Sequence, residues 1–461
     1  MEYRTEIDSM GEVQVPKDAY WGVQAQRAVG NFPVSGLRAH PKLIWATAVV
    51  KRSAAEANRD MGKLDAALAG YIIRAAEEVM SGSLDSHFVV DVYQAGAGTS
   101  HNMNANEVIA NRALEMMDRT RGDYSACHPN DHVNMSQSTN DVFPTAMRLA
   151  GIAALSDLAH EAEALSRSFR YKAGEFDGIV KSGRTHLQDA VPIRLGQEFS
   201  GYTHAMEKGV VRLMSAMTEL GELGIGGTAV GTGINSGKEY TPLMIKYIRA
   251  ASGFDVRACP NLFYSMQSQS AILSASSALR LLAVDLIRIA NDLRLLSSGP
   301  LTGIAEITLP AVQPGSSIMP GKVNPVMAEM LDMVCFQVVG NDHAVAMAVQ
   351  AGQLELNVMM PVMAHNLLSS ASILKNAMEV FRTLCVDGIT ANPERCLAYV
   401  EKSLGIATAL NPHIGYMKAA EVAKEALKTG RSVAEVALEK GYMSEKELKK
   451  ALDPMRLTEP D

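Results

Sequence analysis

The sequence predicts a mainly helical protein, and three observations support that prediction. Aromatic residues make up 5% of the 461 residues, while methionine occurs 26 times. This balance disfavours strands, which are rich in aromatic and β-branched side chains. Apolar residues recur at helical spacing through most of the chain. The strongest pattern, between residues 271 and 298, repeats every seven residues.

Two interleaved series of apolar residues define that pattern: Ile272, Leu279, Leu286 and Leu293, with Ala275, Leu282, Ile289 and Leu296. Apolar a and d positions sustained over roughly four heptads predict a bundle or coiled-coil helix that needs partner helices. Further long helices are predicted at about 145–170 and 354–385, the second with a kink or break at Pro361. A minor strand is predicted around Gly11–Pro16.

Composition excludes several classes of protein. The net charge is 43 − 50 = −7 and no Lys/Arg cluster occurs, so a nucleic-acid partner is not expected. The first residues are charged and no uncharged apolar run could cross a bilayer, so neither a signal peptide nor a membrane anchor is expected. The five cysteines are scattered and odd in number, which favours a reducing compartment, the cytoplasm.

From about Asn392 onward, the sequence pattern changes and predicts short helices separated by glycines. Two capping boxes mark helix starts there: Ser432 with Glu435, and Ser444 with Glu447. This region reads as a small helical domain. A helix-turn-helix DNA binder is the alternative, and it is disfavoured because positive and negative charges are mixed.

Four polar segments interrupt the long helices: Gly96–Asn104, Asn134–Asp141, Gly183–His186 and Pro314–Pro325. Their hydroxyl, amide and cationic groups suit a small dicarboxylate. Any one of them also reads as a helix-capping loop. The segment Pro314–Pro325 contains more than a capping loop requires, because two glycines and three prolines prevent regular structure around a lysine and two serines.

Nucleotide and metal sites are disfavoured. Gly315 to Lys322 resembles a P-loop, but five residues separate Gly315 from Gly321, and Val323 replaces the Ser/Thr that binds magnesium. The G-x-G-x-x-A match at Gly224–Ala229 follows a helical pattern and not a strand. The histidines lack metal-ligand spacing, so no metal and no cofactor are expected.

The segment Gly315–Pro325 resembles the signature of the fumarase/aspartase superfamily, and similar stretches occur along nearly the whole chain. The resemblance implies an all-α protein of three domains, here residues 1–138, 139–391 and 392–461. It also implies a homotetramer in which the long middle helices pair and each active site gathers residues from three chains.

The chemistry implied by this resemblance is anti-elimination from a four-carbon dicarboxylic acid through an aci-carboxylate. Ser316 would be the base, which a serine can be only if backbone N–H groups stabilise its alkoxide. His186 would act at the leaving group and Glu329 would orient it; a helix-start histidine is the alternative interpretation of His186. The substrate-binding residues would be Thr99, Ser100, Ser138, Thr139, Asn140, Thr185, Lys322 and Asn324.

Three stretches resemble aspartases more than fumarases, and favour elimination of ammonia from L-aspartate: Thr99-Ser100, Ser138–Asn140 and Leu187–Pro192. His128–Asp131 is more fumarase-like, so fumarate hydratase remains an alternative. Three residues depart from the pattern and allow an aspartate analogue as substrate: His101, Leu301 and Met360. A catalytically inactive relative is disfavoured because Ser316, Lys322 and His186 are present.

Overall fold

The computed structural model describes residues 2–460, most of which are helical. The helices are α1 (Val23–Asn31), α2 (Pro41–Asp60), α3 (Ala66–Met80), α4 (Thr99–Met116), α5 (Thr139–Glu175), α6 (Leu195–Leu220), α7 (Tyr240–Ser252), α8 (Leu262–Gln267), α9 (Ser270–Leu296), α10 (Val326–Gln350), α11 (Met360–Leu384), α12 (Pro393–Lys402), α13 (Asn411–Ile414), α14 (Tyr416–Thr429), α15 (Val433–Glu439) and α16 (Glu445–Ala451). The predicted all-α class is confirmed.

Strands form small two-stranded sheets. They are β1 (Tyr3–Asp8), β2 (Gly11–Pro16), β3 (Val180–Thr185), β4 (Gln188–Arg194), β5 (Glu222–Leu223), β6 (Arg257–Ala258), β7 (Ile307–Thr308) and β8 (Thr390–Ala391). The pairs β1–β2, β3–β4 and β7–β8 are antiparallel, and β5–β6 is parallel. The minor strand predicted at Gly11–Pro16 is therefore β2, whereas the β3–β4 hairpin was not predicted.

The heptad pattern corresponds to α9, and its seam is buried. All eight residues of the two apolar series are buried: Ile272, Ala275, Leu279, Leu282, Leu286, Ile289, Leu293 and Leu296. The most apolar 18-residue stretches of α5 and α9 are long and apolar enough to cross a membrane, and 83% and 44% of these stretches respectively are buried inside the protein. The burial of α5 is typical of a core helix, whereas more than half of this stretch of α9 is not buried in a single chain.

Pro361 marks the start of a helix. α11 begins at Met360, so the helix predicted from residue 354 is shorter at its N-terminus, and Pro361 occupies its first turn. Proline is tolerated there because the backbone N–H groups of the first turn have no partner within the helix. The predicted kink or break inside a helix is therefore wrong, because residues 354–359 are not helical.

The chain divides into two compact units of discontinuous segments. The first contains the chain up to His160, Val211–Ala283 and Cys335–Lys375. An apolar cluster in this unit lies among α2, α3 and α4. The three-domain division expected from the family resemblance remains a prediction.

The second unit contains Glu161–Val210, Val284–Val334 and the chain from Asn376 onward. An apolar cluster in this unit is formed by the short C-terminal helices. Both predicted capping boxes are present at the starts of α15 and α16, where each N-cap serine exchanges hydrogen bonds with the glutamate three residues later. The β3–β4 hairpin packs against residues 404–410.

Candidate functional site

The first polar segment becomes the start of α4. Ala97 takes a positive φ of 60° in the short turn Gly96–Gly98. Gly98 has φ 82°, and a Cβ atom on it would lie 2.1 Å from the Phe143 ring, so the position requires glycine. No side chain caps α4. The exposed Thr99 therefore stands at the positive end of the helix dipole, where an anion is favoured.

The next two residues of α4 are buried. Ser100 lines a cavity of about 530 Å³. His101 Nε2 lies 2.9 Å from Thr47 Oγ1, and because the Thr47 hydroxyl donates to the Leu43 carbonyl (2.8 Å), the imidazole N–H is the donor to Thr47. Burial lowers the pKa of His101 to about 4, helped by the charge of Lys51. His101 is thus a neutral core residue near pH 7.

The second polar segment is held by side chains of α2. The buried ammonium of Lys51 donates to Asn134 Oδ1 (2.8 Å) and to Gln137 Oε1 (2.9 Å). Further along α2, buried Asn58 accepts a hydrogen bond from the hydroxyl of Ser136 (2.8 Å), which has a positive φ of 62°. These contacts fix the chain just before α5 begins.

Three predicted substrate-binding residues begin α5 or directly precede it: Ser138, Thr139 and Asn140. The carboxylate of the fully buried Asp141 accepts from the backbone N–H of Ser138 (3.0 Å). The Asn102 side chain, from α4, donates to Thr139 Oγ1 (3.0 Å). The structure therefore brings the first and second polar segments together.

Asn140 is oriented by a neighbouring loop. Its Nδ2 donates to the Ala229 carbonyl (2.8 Å), and no residue within 2–460 donates to its Oδ1. An open cavity of about 560 Å³ is lined here by Ser138, Ala229 and Lys63 among others. The Lys63 ammonium is already engaged by the carbonyl of Ser236 (2.8 Å). Asn140 thus keeps a free amide oxygen, an acceptor, beside that loop.

Thr185 and His186 lie at the tip of the β3–β4 hairpin. Thr185 pairs with Gln188, so His186 and Leu187 form a two-residue turn, with φ of 56° and 59°. Such turns usually contain Asn-Gly, because side chains disfavour positive φ. His186 is exposed at this tip, beside Leu187, which is 71% exposed. The helix-start interpretation of His186 is therefore wrong.

The fourth polar segment is a loop closed at its base. The Gly315 N–H donates to the Lys322 carbonyl (2.8 Å), and Asn324 Nδ2 donates to the Gly315 carbonyl (2.7 Å). Within the loop, Ser316 Oγ accepts from the backbone N–H groups of Ile318 (3.2 Å) and Met319 (3.1 Å). The Lys322 side chain is exposed. One loop therefore carries the predicted base and the predicted cation.

Glu329 lies in the first turn of α10. Among the described residues, no hydrogen bond or ion pair joins Glu329 to His186. A single chain thus presents the predicted residues in three groups: those at the starts of α4 and α5, those at the hairpin tip, and those in the Gly315–Asn324 loop. No three His, Cys, Asp or Glu side chains within residues 2–460 are placed to hold a metal ion.

Sequence reasoning missed the residues that hold the second segment: Lys51, Asn58 and Asn102. Each lies on a helix where a polar residue is ordinarily expected to face solvent. The residues that flank Lys51 gave a signal, because Ala46–Ala55 contains only Ala, Val, Thr and Ser apart from Lys51 and Arg52. A lysine inside such a run is buried when its neighbours supply acceptors.

Comparison with known proteins agrees with this architecture. A family profile described as Lyase matches residues 11–340, and one described as Fumarase C C-terminus matches residues 406–459. An aspartate ammonia-lyase of a Bacillus species is 49% identical over 459 residues, which cover 100% of this chain and 98% of the relative. A class II fumarate hydratase of Halobacterium salinarum is 53% identical over 458 residues, covering 99% and 97%.

Solved structures give the same picture. A fumarate lyase:delta crystallin of Brucella melitensis, bound to cobalt, matches with a TM-score of 0.97 and 49% identity over 100% of both chains. A class II fumarase of Schistosoma mansoni matches with a TM-score of 0.96 and 37% identity over 99% of both chains. Fold and relatives together define the protein as a lyase. More narrowly, the chain belongs to the fumarase/aspartase superfamily.

The buried His101 predicts a loss of stability in acid. The unfolded chain protonates this histidine below about pH 6.5, whereas the folded protein does so only near pH 4. Between these values the unfolded state binds more protons, so stability falls as the pH falls, by up to about 3 kcal/mol over the whole window. Chemical denaturation at pH 7 and pH 5 measures the fall, which should be smaller in His101→Gln.

The matched control for this experiment is His204→Gln, because His204 is mostly exposed on α6. That variant should show the same loss between pH 7 and pH 5 as the wild-type protein. An equal loss in His101→Gln and in the wild type would contradict the assignment of His101 as a neutral core residue.

Proposed function

We propose that the chain catalyses the reversible anti-elimination of ammonia from L-aspartate to give fumarate. The observation that carries the proposal is the hydrogen bonding of Ser316. Its Oγ accepts hydrogen bonds from two backbone N–H groups of its own loop. A serine alkoxide is a strong base that is ordinarily too unstable to form near neutral pH, and fixed N–H dipoles lower its free energy. Serine turns without catalytic roles make similar bonds; the exposed Lys322 in the same loop adds a cation suited to a carboxylate.

The reaction proceeds by proton removal followed by loss of the amine. The Ser316 alkoxide takes a proton from the carbon beside one carboxylate, and the electron pair moves into that carboxylate as an aci-carboxylate with two negative oxygens. Lys322 and Asn324 hold this charge, while Thr99, Ser100, Ser138, Thr139 and Thr185 hold the substrate through their hydroxyls. The electron pair then returns to form the double bond as the carbon–nitrogen bond breaks and ammonia leaves.

The orientation of Asn140 is compatible with an amine as the leaving group. One N–H of its Nδ2 donates to the Ala229 carbonyl, which leaves the acceptor Oδ1 and the second N–H of Nδ2. A substrate ammonium carries only donors, whereas a hydroxyl carries one donor and two acceptor lone pairs. An acceptor therefore suits aspartate well. His186 assists at the leaving group, oriented by Glu329 in the assembled protein.

Two alternative activities are each supported by a specific observation. Class II fumarate hydratase is favoured by the 53% identity to the Halobacterium salinarum enzyme and by His128–Asp131. An ammonia-lyase for an aspartate analogue is suggested by the three departures from the family pattern. His101 and Met360 are buried, whereas Leu301 is 88% exposed. Leu301 is therefore the departure that is open to contact with a substrate or a second chain.

We further propose that the enzyme is a homotetramer with active sites shared between chains. Apolar side chains on the long helices are exposed in the single chain: Val211 and Met214 on α6, Leu281 and Val284 on α9, and Met333, Phe336 and Met347 on α10. Covering them stabilises the protein by about 25 cal/mol per Å². We also propose the cytoplasm as the compartment, because the five cysteines are buried and form no disulfide within residues 2–460.

Light scattering after size exclusion tests the assembly, and the expected mass is that of four chains. Phe336 is 58% exposed on α10, so Phe336→Glu should place a charge at the interface and shift the protein to smaller species with loss of activity. Leu427→Glu, at an exposed C-terminal residue, is the control and should remain tetrameric. A wild-type monomer would contradict the proposed assembly.

The appearance of fumarate, read by ultraviolet absorbance, tests the substrate. Purified protein given L-aspartate should produce fumarate, and protein given L-malate should produce little or none. Production from malate alone would overturn the aspartase proposal in favour of fumarate hydratase. Silence with both substrates would favour an analogue or an inactive relative.

Replacing Ser316 tests the base. Ser316→Ala removes the proton acceptor, so turnover should fall at least about a thousandfold, the scale of an essential catalytic group, while the tetramer persists. Ser317→Ala changes the adjacent exposed serine and should keep most of the activity. Wild-type-like turnover in Ser316→Ala would show that the base is another residue.

A further inference from the structure

Lys51 is a lysine enclosed within the protein. It lies in the middle of α2, fully buried, and the neighbouring Val49, Val50 and Ala54 are buried as well. Burial of an ammonium disfavours its charged form, and it lowers the pKa of Lys51 to about 7. A methionine would fill a similar volume without that cost. The charge therefore serves something other than core stability.

The partners of Lys51 show what it holds. Its Nζ donates to Asn134 Oδ1 (2.8 Å) and Gln137 Oε1 (2.9 Å). The amide nitrogen of Gln137 continues the network by donating to the carbonyls of Val133 (3.0 Å) and Met135 (3.1 Å). Lys51 is thus the centre of a hydrogen-bond network that fixes the backbone entering the substrate-binding segment.

Asp141 fixes the other end of that segment. Its carboxylate accepts from the backbone N–H groups of Ser138 (3.0 Å), Gly226 (3.0 Å) and Thr228 (2.9 Å). Burial raises the pKa of Asp141 to about 6, while these N–H groups and the positive charge of Lys51 oppose the rise. The opposite charges of Asp141 and Lys51 therefore stabilise one another in a buried environment.

The three residues Ser138–Asn140 lie between these two anchors. We propose that Lys51 and Asp141 are positioning residues, which hold Ser138–Asn140 in the geometry that binds a substrate carboxylate. This inference rests on the substrate-binding role proposed above for that segment. Preorganisation of this kind lowers the entropy lost on binding, so its removal weakens substrate binding more than it slows the chemical step.

Lys51→Met tests the role of the lysine. With L-aspartate as substrate, KM should rise at least about tenfold, while kcat changes by less than about threefold, because uniform binding is lost. Amide hydrogen exchange of residues 134–141, followed by mass spectrometry, should become faster. The thermal midpoint shows that the variant is folded and separates this role from a purely structural one.

Lys42→Met is the matched control. Lys42 also lies on α2, but it is partly exposed and paired with Asp157 (2.7 Å). KM, kcat and the exchange of residues 134–141 should all keep their wild-type values in this variant. A rise in KM equal to that of Lys51→Met would overturn the proposal, because any lysine of α2 would then act alike.

Gln137→Met is a second variant that tests the same proposal if Lys51→Met does not fold. It removes one of the two acceptors of Lys51 and should raise KM several-fold and speed exchange in the same segment. A folded Lys51→Met or Gln137→Met protein with unchanged exchange would overturn the proposal. Faster exchange with unchanged KM would overturn the link to substrate binding.

The proposed function and this inference can fail separately. If wild-type protein converts neither L-aspartate nor L-malate, binding of succinate, an unreactive dicarboxylate, is measured by calorimetry in place of KM. Weaker succinate binding by Lys51→Met than by Lys42→Met would then support the positioning role without turnover. Equal succinate binding by the two variants would overturn it.

Discussion

The candidate site depends on backbone N–H groups that have no carbonyl partner in their own helix or turn. An all-helical chain supplies such groups where helices begin and where tight turns reverse the backbone. α4 begins at Thr99 without a side-chain cap, α5 begins at Thr139, and two loop N–H groups meet at Ser316. The proposed reaction creates negative oxygens, and these are the groups that stabilise them.

Backbone strain occurs in most of the polar segments, as well as elsewhere in the chain. Non-glycine residues with positive φ occur in three of the four polar segments: Ala97, Ser136 and His186, with Leu187 beside the last. Such conformations cost roughly 1–3 kcal/mol each and persist where the surrounding structure determines them. The apolar cluster among α2, α3 and α4, together with the buried network of Lys51 and Asn58, supplies that constraint for the first two segments.

Sequence alone predicted the parts of this protein that depend on local pattern. The seam of α9 and the four polar segments were visible because heptad spacing and loop composition are properties of neighbouring residues. The β3–β4 hairpin was missed, because Gly183 and Pro192 weaken its strands and His186-Leu187 lacks the usual turn signature. Lys51 was missed because its burial depends on acceptors more than eighty residues away. The roles of the base and the cation and the sharing of the site between chains remain predictions, since a single chain presents the predicted residues in three groups.

The loop that carries Ser316 is closed at its base by hydrogen bonds of its own, and this bears on how the serine oxygen is stabilised. The stretch Gly315–Asn324 contains both hydrogen bonds that close the base of the loop. It also contains both N–H groups that donate to the serine oxygen. Any swing of this stretch about its ends carries the oxygen and its stabilising dipoles along as one rigid piece. For Ser316 as the proposed base, the stabilisation of its oxygen would therefore not depend on where the loop lies, whereas its contact with a substrate would.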